Sequence, residues 1–470
     1  MSQPIYLTSD IRRIEQAAGK VEPPLMERAG AAAAELAATL VSEREKDVLI
    51  LAGPGNNGGD AQVVARLLRE RFFRVTVAAT PGDIAGGTRW SLVVDGLFGI
   101  GLARDVGGDF AALVDYANEQ SCPVLALDIP SGIASDTGRV LGRAVRATHT
   151  VTFIAMKPGL LTLDGPDLCG AVSVAALGLE AGKLVAPSGW VAEPEMFLNI
   201  LKPRPRNFHK GLAGSVAILG GAAGMTGAAL LAGRAALKLG AGRVYVGVLD
   251  REAPDVDPGA PELMLRHPDE ALGMELDALV VGPGLGQSER AETLLGAALA
   301  SDIPCVLDAD ALNLMAANPD LQAACARRRA DTLVTPHPAE AARLLSERTS
   351  DIQSDRLVAA RKLSEKLAAH ALLKGSGSVI VAHDGHWFIN RSGNPGMASA
   401  GMGDVLAGIL GALLAQKLSG ETALVLGTHL HGCAADECVR AGAGPVGLTA
   451  GETIDAARAL WNGWLGHSQR

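Results

Sequence analysis

Short apolar runs alternate with longer stretches whose apolar positions recur at helical spacing, and this alternation is the dominant pattern of the chain. Thr8, Ser9 and Asp10 are candidate caps before IRRIEQAA, and an Ala-rich helical stretch runs from Met26 to Leu40. The apolar run DVLILAG (Asp47 to Gly53) leads into a glycine-rich turn and then a helical run, AQVVARLLRER. Further strands are predicted at RVTVAAT from Arg74, SLVVDGLFG from Ser91, PVLALDIPSG from Pro123 and HTVTFIA from His149. Between Gly178 and Gly214 the pattern weakens, and Pro187, Pro194, Pro203 and Pro205 punctuate it as in a linker. The alternation restarts at SVAILGG (Ser215 on), followed by the small-residue helix MTGAALLAGRAALKLGAG and the strand-like runs VYVGVL, ALVVGPG, CVLDADAL and TLVTPHP. ALLKGSGSVIVAHDGHWFIN reads as a strand, a loop and a hairpin turning on Asp384-Gly385, and the last third is helical. Apolar runs separated by helical segments predict parallel strands with helices on both faces. Two α/β domains are therefore predicted, 1–203 and 204–470, with no solenoid repeat.

Composition narrows the function classes. At ~150 residues per domain, 470 residues allow two or three domains. A chain 48% hydrophobic and 20% charged is not disordered. Only 8 Phe, 5 Trp and 3 Tyr are present, so the core must be built from Ala, Val, Leu and Ile. The 57 glycines follow no collagen-like period and point to tight turns and backbone-lined ligand loops. A net charge of −9 with no basic–aromatic stripe argues against a nucleic-acid surface, and Arg327-Arg328-Arg329 reads as a solvated helix end. The six cysteines form no C-x-x-C pair and read as reduced thiols. The opening MSQPIYLTSDIRRIEQA lacks the apolar core of a secretory signal, and Val405 to Ala415 is too short to span a bilayer. A cytoplasmic protein, away from membranes, is expected.

Chemistry concentrates in a few loops. GPGNNGGDAQVVARLL follows a strand and opens a helix, so its backbone N–H groups suit an anion. Asn56, Asn57 and Asp60 add side-chain oxygens suited to a metal or a ribose, against the plainer reading of a glycine-rich turn with an Asp cap. Asp95, and Asp128 with Ser131 in ALDIPSG, stand at the ends of two more strands, where open α/β sheets form their ligand crevice. An all-oxygen set of Asn57, Asp95 and Ser131 would suit a hard cation such as potassium or magnesium, leaving Asp128 as an acid/base candidate. The bland alternative is that each Asp caps the next element. Lys157 in MKPGL fits the first pocket or the surface equally well. His429 and His431 point in different directions along a helix, and His383 and His386 flank a hairpin, so zinc is not expected.

GNNGGD, VDGLFGIGL, DIPSG with DTG after it, and FIAMKPGL, in this order over roughly residues 1–200, resemble the N-terminal domain of YjeF-type proteins, the NAD(P)H-hydrate epimerases. The resemblance implies a Rossmann-like α/β/α sandwich and potassium held by Asn57, Asp95 and Ser131. It implies hydrate contacts from Asn56, Asn57, Gly58, Gly59 and Asp60, from the loop Gly99, Ile100, Gly101, Leu102, Ala103, Arg104 and Asp105, and from Asp128, the implied catalytic residue. Ala61 and Ile100 depart from the usual Gly and Thr.

In the second half, NPGMASAGMGDVLAGILGALLA places Gly-Met-Gly-Asp at the mouth of an apolar helix. Its N-terminal amides form an anion hole, and Asp404 is placed to deprotonate a hydroxyl attacking a phosphoryl group. The amides and hydroxyls of Lys374, Gly375, Ser376, Gly377 and Ser378 suit nucleotide phosphates. This order, a nucleotide loop and then GMGD, is similar to the ribokinase-like fold. With VVGPGLG, LDADALN and TPHPAEAARLL it resembles, over about Asn207 to Arg470, the ADP/ATP-dependent NAD(P)H-hydrate dehydratases. That resemblance implies hydrate contacts near Ala229, Gly284, Gly286, His337 and catalytic Asp404, nucleotide contacts from Lys374 to Ser378 and Gly403, ADP with ATP as the alternative, and magnesium. Ala339 departs from the usual Gly. The whole chain resembles the bifunctional NAD(P)H-hydrate repair enzymes, which implies NADH and NADPH hydrates as ligands and a homo-oligomer, tetramer or larger. The alternatives are a ribokinase-like small-molecule kinase and a non-catalytic YjeF-type scaffold.

Overall fold

The computed structural model describes residues 2–41, 46–197 and 200–467. The chain divides into two compact units, Gln3–Trp190 and Val191–Arg470, the latter joined by Met1–Ser2. The expected boundary at residue 203 falls inside the second unit.

The principal elements of the first unit are α1 (Thr8–Ala18), α2 (Leu25–Leu40), β1 (Asp47–Ala52), α3 (Asn56–Glu70), β2 (Arg74–Ala78), β3 (Leu92–Gly96), α4 (Gly108–Asn118), β4 (Val124–Leu127), β5 (His149–Phe153) and β6 (Ala171–Ala175). The strands form one parallel sheet in the order β2-β1-β3-β4-β5-β6. Side chains of a strand point alternately to opposite faces. Val48 and Ile50 accordingly join a core with α1, α2 and α3, while Leu49 and Leu51 join a second core with α4. The apolar run of β1 is continuous because both faces are covered. The order of connection reverses between β1 and β3, which opens a crevice at their carboxyl ends.

The second unit contains β7 (Ser215–Gly220), α5 (Thr226–Lys238), β8 (Arg243–Val248), β9 (Met264–Arg266), β10 (Ala278–Val281), α6 (Glu289–Ala300), β11 (Cys305–Leu307), α7 (Asp310–Ala317), β12 (Thr332–Val334), α8 (Pro338–Leu345), α9 (Arg356–Leu367), β13 (His370–Leu373), β14 (Ser378–Val381), β15 (Trp387–Asn390), α10 (Met402–Ala415), α11 (Gly420–Arg440) and α12 (Ala450–His467). The strand order is β15-β14-β13-β12-β11-β10-β7-β8-β9, antiparallel only at β13/β14 and β14/β15. Here the reversal lies between β7 and β10. The most apolar stretch, Val405 to Ala415, is buried along its whole length in α10. α10 crosses α5 at Gly408, where any side chain would overlap the Ala232 backbone. Close crossings of this kind let a chain poor in aromatics pack tightly. Among the described residues, no helix is long and apolar enough to cross a membrane.

Candidate active sites at the strand ends

In the first unit the crevice is lined by oxygen. Gly58 packs so tightly on Gly53 that a Cβ would overlap the Gly53 carbonyl, which seats the start of α3 on the end of β1. The Asn57 amide nitrogen donates to Leu127 O at 3.2 Å, and its Oδ1 is buried with no hydrogen-bond partner. Asp95, fully buried, accepts from Ser131 Oγ at 2.6 Å, from Ser131 N at 2.8 Å and from Leu97 N at 3.2 Å. Burial pushes Asp95 up to about 6, against these hydrogen bonds. A buried amide oxygen without a partner, a buried carboxylate and a hydroxyl have the donor chemistry that fits a hard monovalent cation.

Asp128 follows β4 with a left-handed backbone, φ 65°. Asx residues tolerate this region, and such positions gather at functional sites. Its Oδ1 accepts from Lys157 Nζ at 2.6 Å and Phe153 N at 3.3 Å; Oδ2 accepts from Ile100 N at 3.4 Å. Lys157 is fully buried and spends its other protons on Thr152 Oγ1 and Phe153 O, both at 2.7 Å. The surface position left open for Lys157 is thus ruled out. Asp60, buried one turn into α3, is pushed up to about 7, by burial first and then by the charges of Asp128 and Glu15. It can hold and release a proton near neutral pH. Asn56 is exposed at the helix mouth, Gly59 half-buried beside it, and the loop Gly99 to Asp105 forms the rim. Arg12 of α1 reaches Gly101 in that loop. Glu15 and Arg12 escaped the sequence reading, since a helix before the first strand gives no sign of facing the crevice. Ala61 is buried against Gly96, whose missing side chain makes room for its methyl.

In the second unit, the loop after β10 meets the loop after β7, with Gly221 N donating to Pro283 O at 3.0 Å and Ala222 N to Gly284 O at 2.6 Å. Gly286 N donates to Asp310 Oδ2 at 2.8 Å, and Ala229 is buried beneath on α5. Lys374 Nζ donates to Asp308 Oδ1 at 2.8 Å. A Cβ on Gly403 would stand 3.2 Å from Asp308 Oδ2 and 3.3 Å from Lys374 Nζ, so the mouth of α10, the nucleotide-type loop and the end of β11 meet at one point. Asp404 is pushed up to about 6, by burial first, then by Asp308 and Asp310 and against the attraction of Lys374. Burial opposes the charge on Lys374, but Asp308 and then Glu340 outweigh it and raise its pKa. Ser378 Oγ closes the loop, donating to Gly375 O at 3.0 Å and accepting from Gly375 N at 3.2 Å. Ser376, exposed, and Gly377, half-buried, complete its turn. His337 caps α8, its Nδ1 accepting from Ala339 N and Glu340 N. Burial first, then Lys374 and Arg343, lower its pKa and favour the neutral ring; with Nδ1 accepting, the proton of that ring is on Nε2. Ala339 serves the cap through its backbone alone.

Asp308, Asp310 and Glu340 were not singled out from the sequence, although LDADALN ends a strand, where the crevice rule applies. Ala309 between the two aspartates has φ 51°, a strained angle for alanine. Of the histidines set aside, His429 and His431 are buried and pushed down to about 4 by burial. His386 meets Asp384 and Glu421 on an exposed surface, ligand atoms within 4.8 Å of one another, a grouping that α11 creates and hairpin spacing does not reveal.

Comparison with known proteins matches each half of the chain to a family. Residues 216–454 match the family described as NAD(P)H-hydrate dehydratase, and residues 22–90 and 79–159 match the YjeF-related protein N-terminus. The bifunctional NAD(P)H-hydrate repair enzyme of Escherichia coli K12 is 40% identical over 468 residues, covering 92% of this chain and 89% of that one. That of Coxiella burnetii is 37% identical over 493 residues, covering 97% and 99%. An ADP/ATP-dependent NAD(P)H-hydrate dehydratase from Bacillus subtilis, co-crystallised with ATP/Mg2+, superimposes with a TM-score of 0.53 at 28% identity, covering 58% of this chain and 98% of that one. A ribokinase-like superfamily protein from Enterococcus faecalis, 24% identical with a TM-score of 0.51, shares the fold. With both families matched in this order along one chain, and relatives of this identity over almost its whole length, the chain belongs to the bifunctional NAD(P)H-hydrate repair enzymes.

Proposed function

We propose that the chain restores hydrated NADH and NADPH in two steps, an epimerase in residues 1–203 and a dehydratase in residues 204–470. Hydration at C6 of the nicotinamide ring gives R and S alcohols that no longer deliver hydride. In the first unit the carboxylate of Asp128 takes the C6 hydroxyl proton, the C6–N1 bond of the hemiaminal breaks to give a carbonyl, and N1 takes up a proton. Reclosure on the opposite face of C6 reverses these transfers and inverts the centre. The left-handed backbone and the Lys157 ion pair aim Asp128 at the substrate. The α3 mouth from Asn56 to Asp60 and the loop from Gly99 to Asp105 hold the rest of the hydrate. Asn57, Asp95 and Ser131 would hold potassium, whose charge would help fix the pyrophosphate; the orphaned Asn57 oxygen supports this.

In the second unit the S hydrate lies among Ala229, Gly284, Gly286 and His337. Asp404 takes the C6 hydroxyl proton while that oxygen attacks the terminal phosphoryl group of ADP, releasing AMP. Phosphate leaves far more readily than hydroxide, so the C6–O bond breaks, the C5 proton is lost and the double bond returns. The Lys374–Ser378 loop and Gly403 hold the nucleotide phosphates. Magnesium entering with the nucleotide would offset phosphate charge, and Asp308 and Asp310 are hard oxygen donors at that point. The observation that carries the reading is the meeting of Lys374, Asp308, Gly403 and the Asp404 helix mouth. A cytoplasmic homo-oligomer is the expected setting.

The test incubates purified protein with mixed R and S NADPH hydrate, magnesium, potassium and either ADP or ATP, and follows the return of reduced-nicotinamide absorbance. Full nucleotide-dependent recovery, beyond the S fraction and faster than spontaneous epimerisation, is expected, and it names the nucleotide. Recovery of the S fraction alone would overturn the first step; no recovery with either nucleotide would overturn both.

A further inference from the structure

Arg356, the first residue of α9, is a buried cation that the mechanism above leaves unused. It is 2% exposed. Its Nη1 donates to Gln353 Oε1 at 2.8 Å and its Nη2 to Leu373 O at 3.2 Å, both uncharged acceptors, and its Nε has no partner. Burial pushes its pKa down to about 10, so it stays charged at neutral pH, and among the described residues no carboxylate offsets it. Lys157, a fully buried cation, pairs with an aspartate, and the partly buried Lys374 does so too. A guanidinium taken out of water without an opposite charge is strongly unfavourable, and folds keep one where something else uses it.

Its position says what that is. A Cβ on Gly375 would stand 2.6 Å from Nη1 and 2.8 Å from Nη2, so the guanidinium lies against the backbone of the Lys374–Ser378 loop. Gly375, with φ 146°, and Ser376 are exposed on that loop. We infer that Arg356 is the fixed counter-charge of the nucleotide site, attracting the phosphates of a nucleoside di- or triphosphate through the thickness of the Gly375 backbone without touching them. It is a positioning residue: it strengthens binding of charged phosphate and leaves the chemistry at Asp404 alone. The inference deepens the nucleotide reading and rests on it.

Gln353→Glu separates this from a purely structural tie. The new carboxylate would sit on Nη1 and neutralise the guanidinium while keeping every atom of the tie to Leu373. Affinity for ADP and ATP, measured by titration calorimetry with magnesium on the full chain, should fall at least ~5-fold. Adenosine affinity should change little, and the apo Tm should rise because the buried charge gains a partner. Arg356→Gln should weaken ADP at least ~10-fold with kcat within ~3-fold, while Arg356→Lys stays within ~3-fold of the parent. A structural tie predicts the opposite ranking: unchanged ADP binding in Gln353→Glu, and Arg356→Lys as damaging as Arg356→Gln. Unchanged ADP binding in Gln353→Glu with a raised Tm would overturn the inference alone. Absence of ADP and ATP binding by the parent chain would overturn the nucleotide reading and the inference with it.

Discussion

Asp128 combines a left-handed backbone, a buried lysine partner and a place at the end of β4. Asp128→Asn keeps the shape and removes the proposed base. Epimerase turnover should fall by ~100-fold or more, while dehydration of pure S hydrate is unchanged. Lys157→Met should do more than slow the reaction. It leaves the Asp128 carboxylate without its partner in a buried site, and the first unit should lose ~3–5 kcal/mol in urea unfolding. Adding Asp128→Asn to Lys157→Met should return much of that loss, because the unpaired charge is gone; no recovery in the double variant would mean that Lys157 acts through packing alone. In the second unit Asp404 must be ionised to take a proton, and its pKa stands at about 6. With pure S hydrate, kcat/KM should therefore level off above this pH and fall about tenfold per unit below it. At this scale the sequence singled out Asp128 and Asp404 as candidates, because strand ends and a helix mouth are visible in a one-dimensional pattern. Lys157, Glu15, Asp308 and Arg356 acquire their meaning only from partners brought close through space.

Elements were the most legible level. Each apolar run named from the sequence forms a strand, and the Ala-rich and small-residue stretches form helices. The strands Ala171–Ala175 and Met264–Arg266 were missed because they lie at sheet edges and are half-exposed, so neither carries an apolar run. How closely two helices approach was also hidden. Gly408 reads as an ordinary small residue, yet α10 rests on α5 through it. Gly408→Val should force the helices apart and lower stability by ~1–3 kcal/mol, read as a lower urea midpoint at unchanged slope. An unchanged midpoint would show that the crossing adjusts freely.

For the whole molecule, two units imply two separately addressable ligand effects. Potassium should raise the melting temperature of the first unit and ADP with magnesium that of the second, each stabilising its unit by ~2.7 kcal/mol at a hundredfold excess over its Kd. Asp95→Asn should abolish the potassium effect and leave the ADP effect. Asp95 stands at about 6 in the absence of a cation, so potassium should bind more weakly as pH falls below that value, where a proton competes for the same oxygens. Calorimetry from pH 5 to 8 in potassium and in a bulky organic cation would check this, and a pH-independent shift would remove Asp95 from the ligand set.

By itself the sequence determined the two α/β halves, the order of their strands along the chain and the loops proposed to carry the chemistry. All of these follow from local periodicity and from glycine-rich turns placed after apolar runs. Only the tertiary structure decided that Lys157 is buried on Asp128, that the Asn57 oxygen is left without a partner, and that Ala61 fits against Gly96. It also decided that Arg356 stands unneutralised behind Gly375. Each of these depends on residues far apart in sequence meeting where water is excluded, and there the presence or absence of a single partner decides a side chain's charge and role.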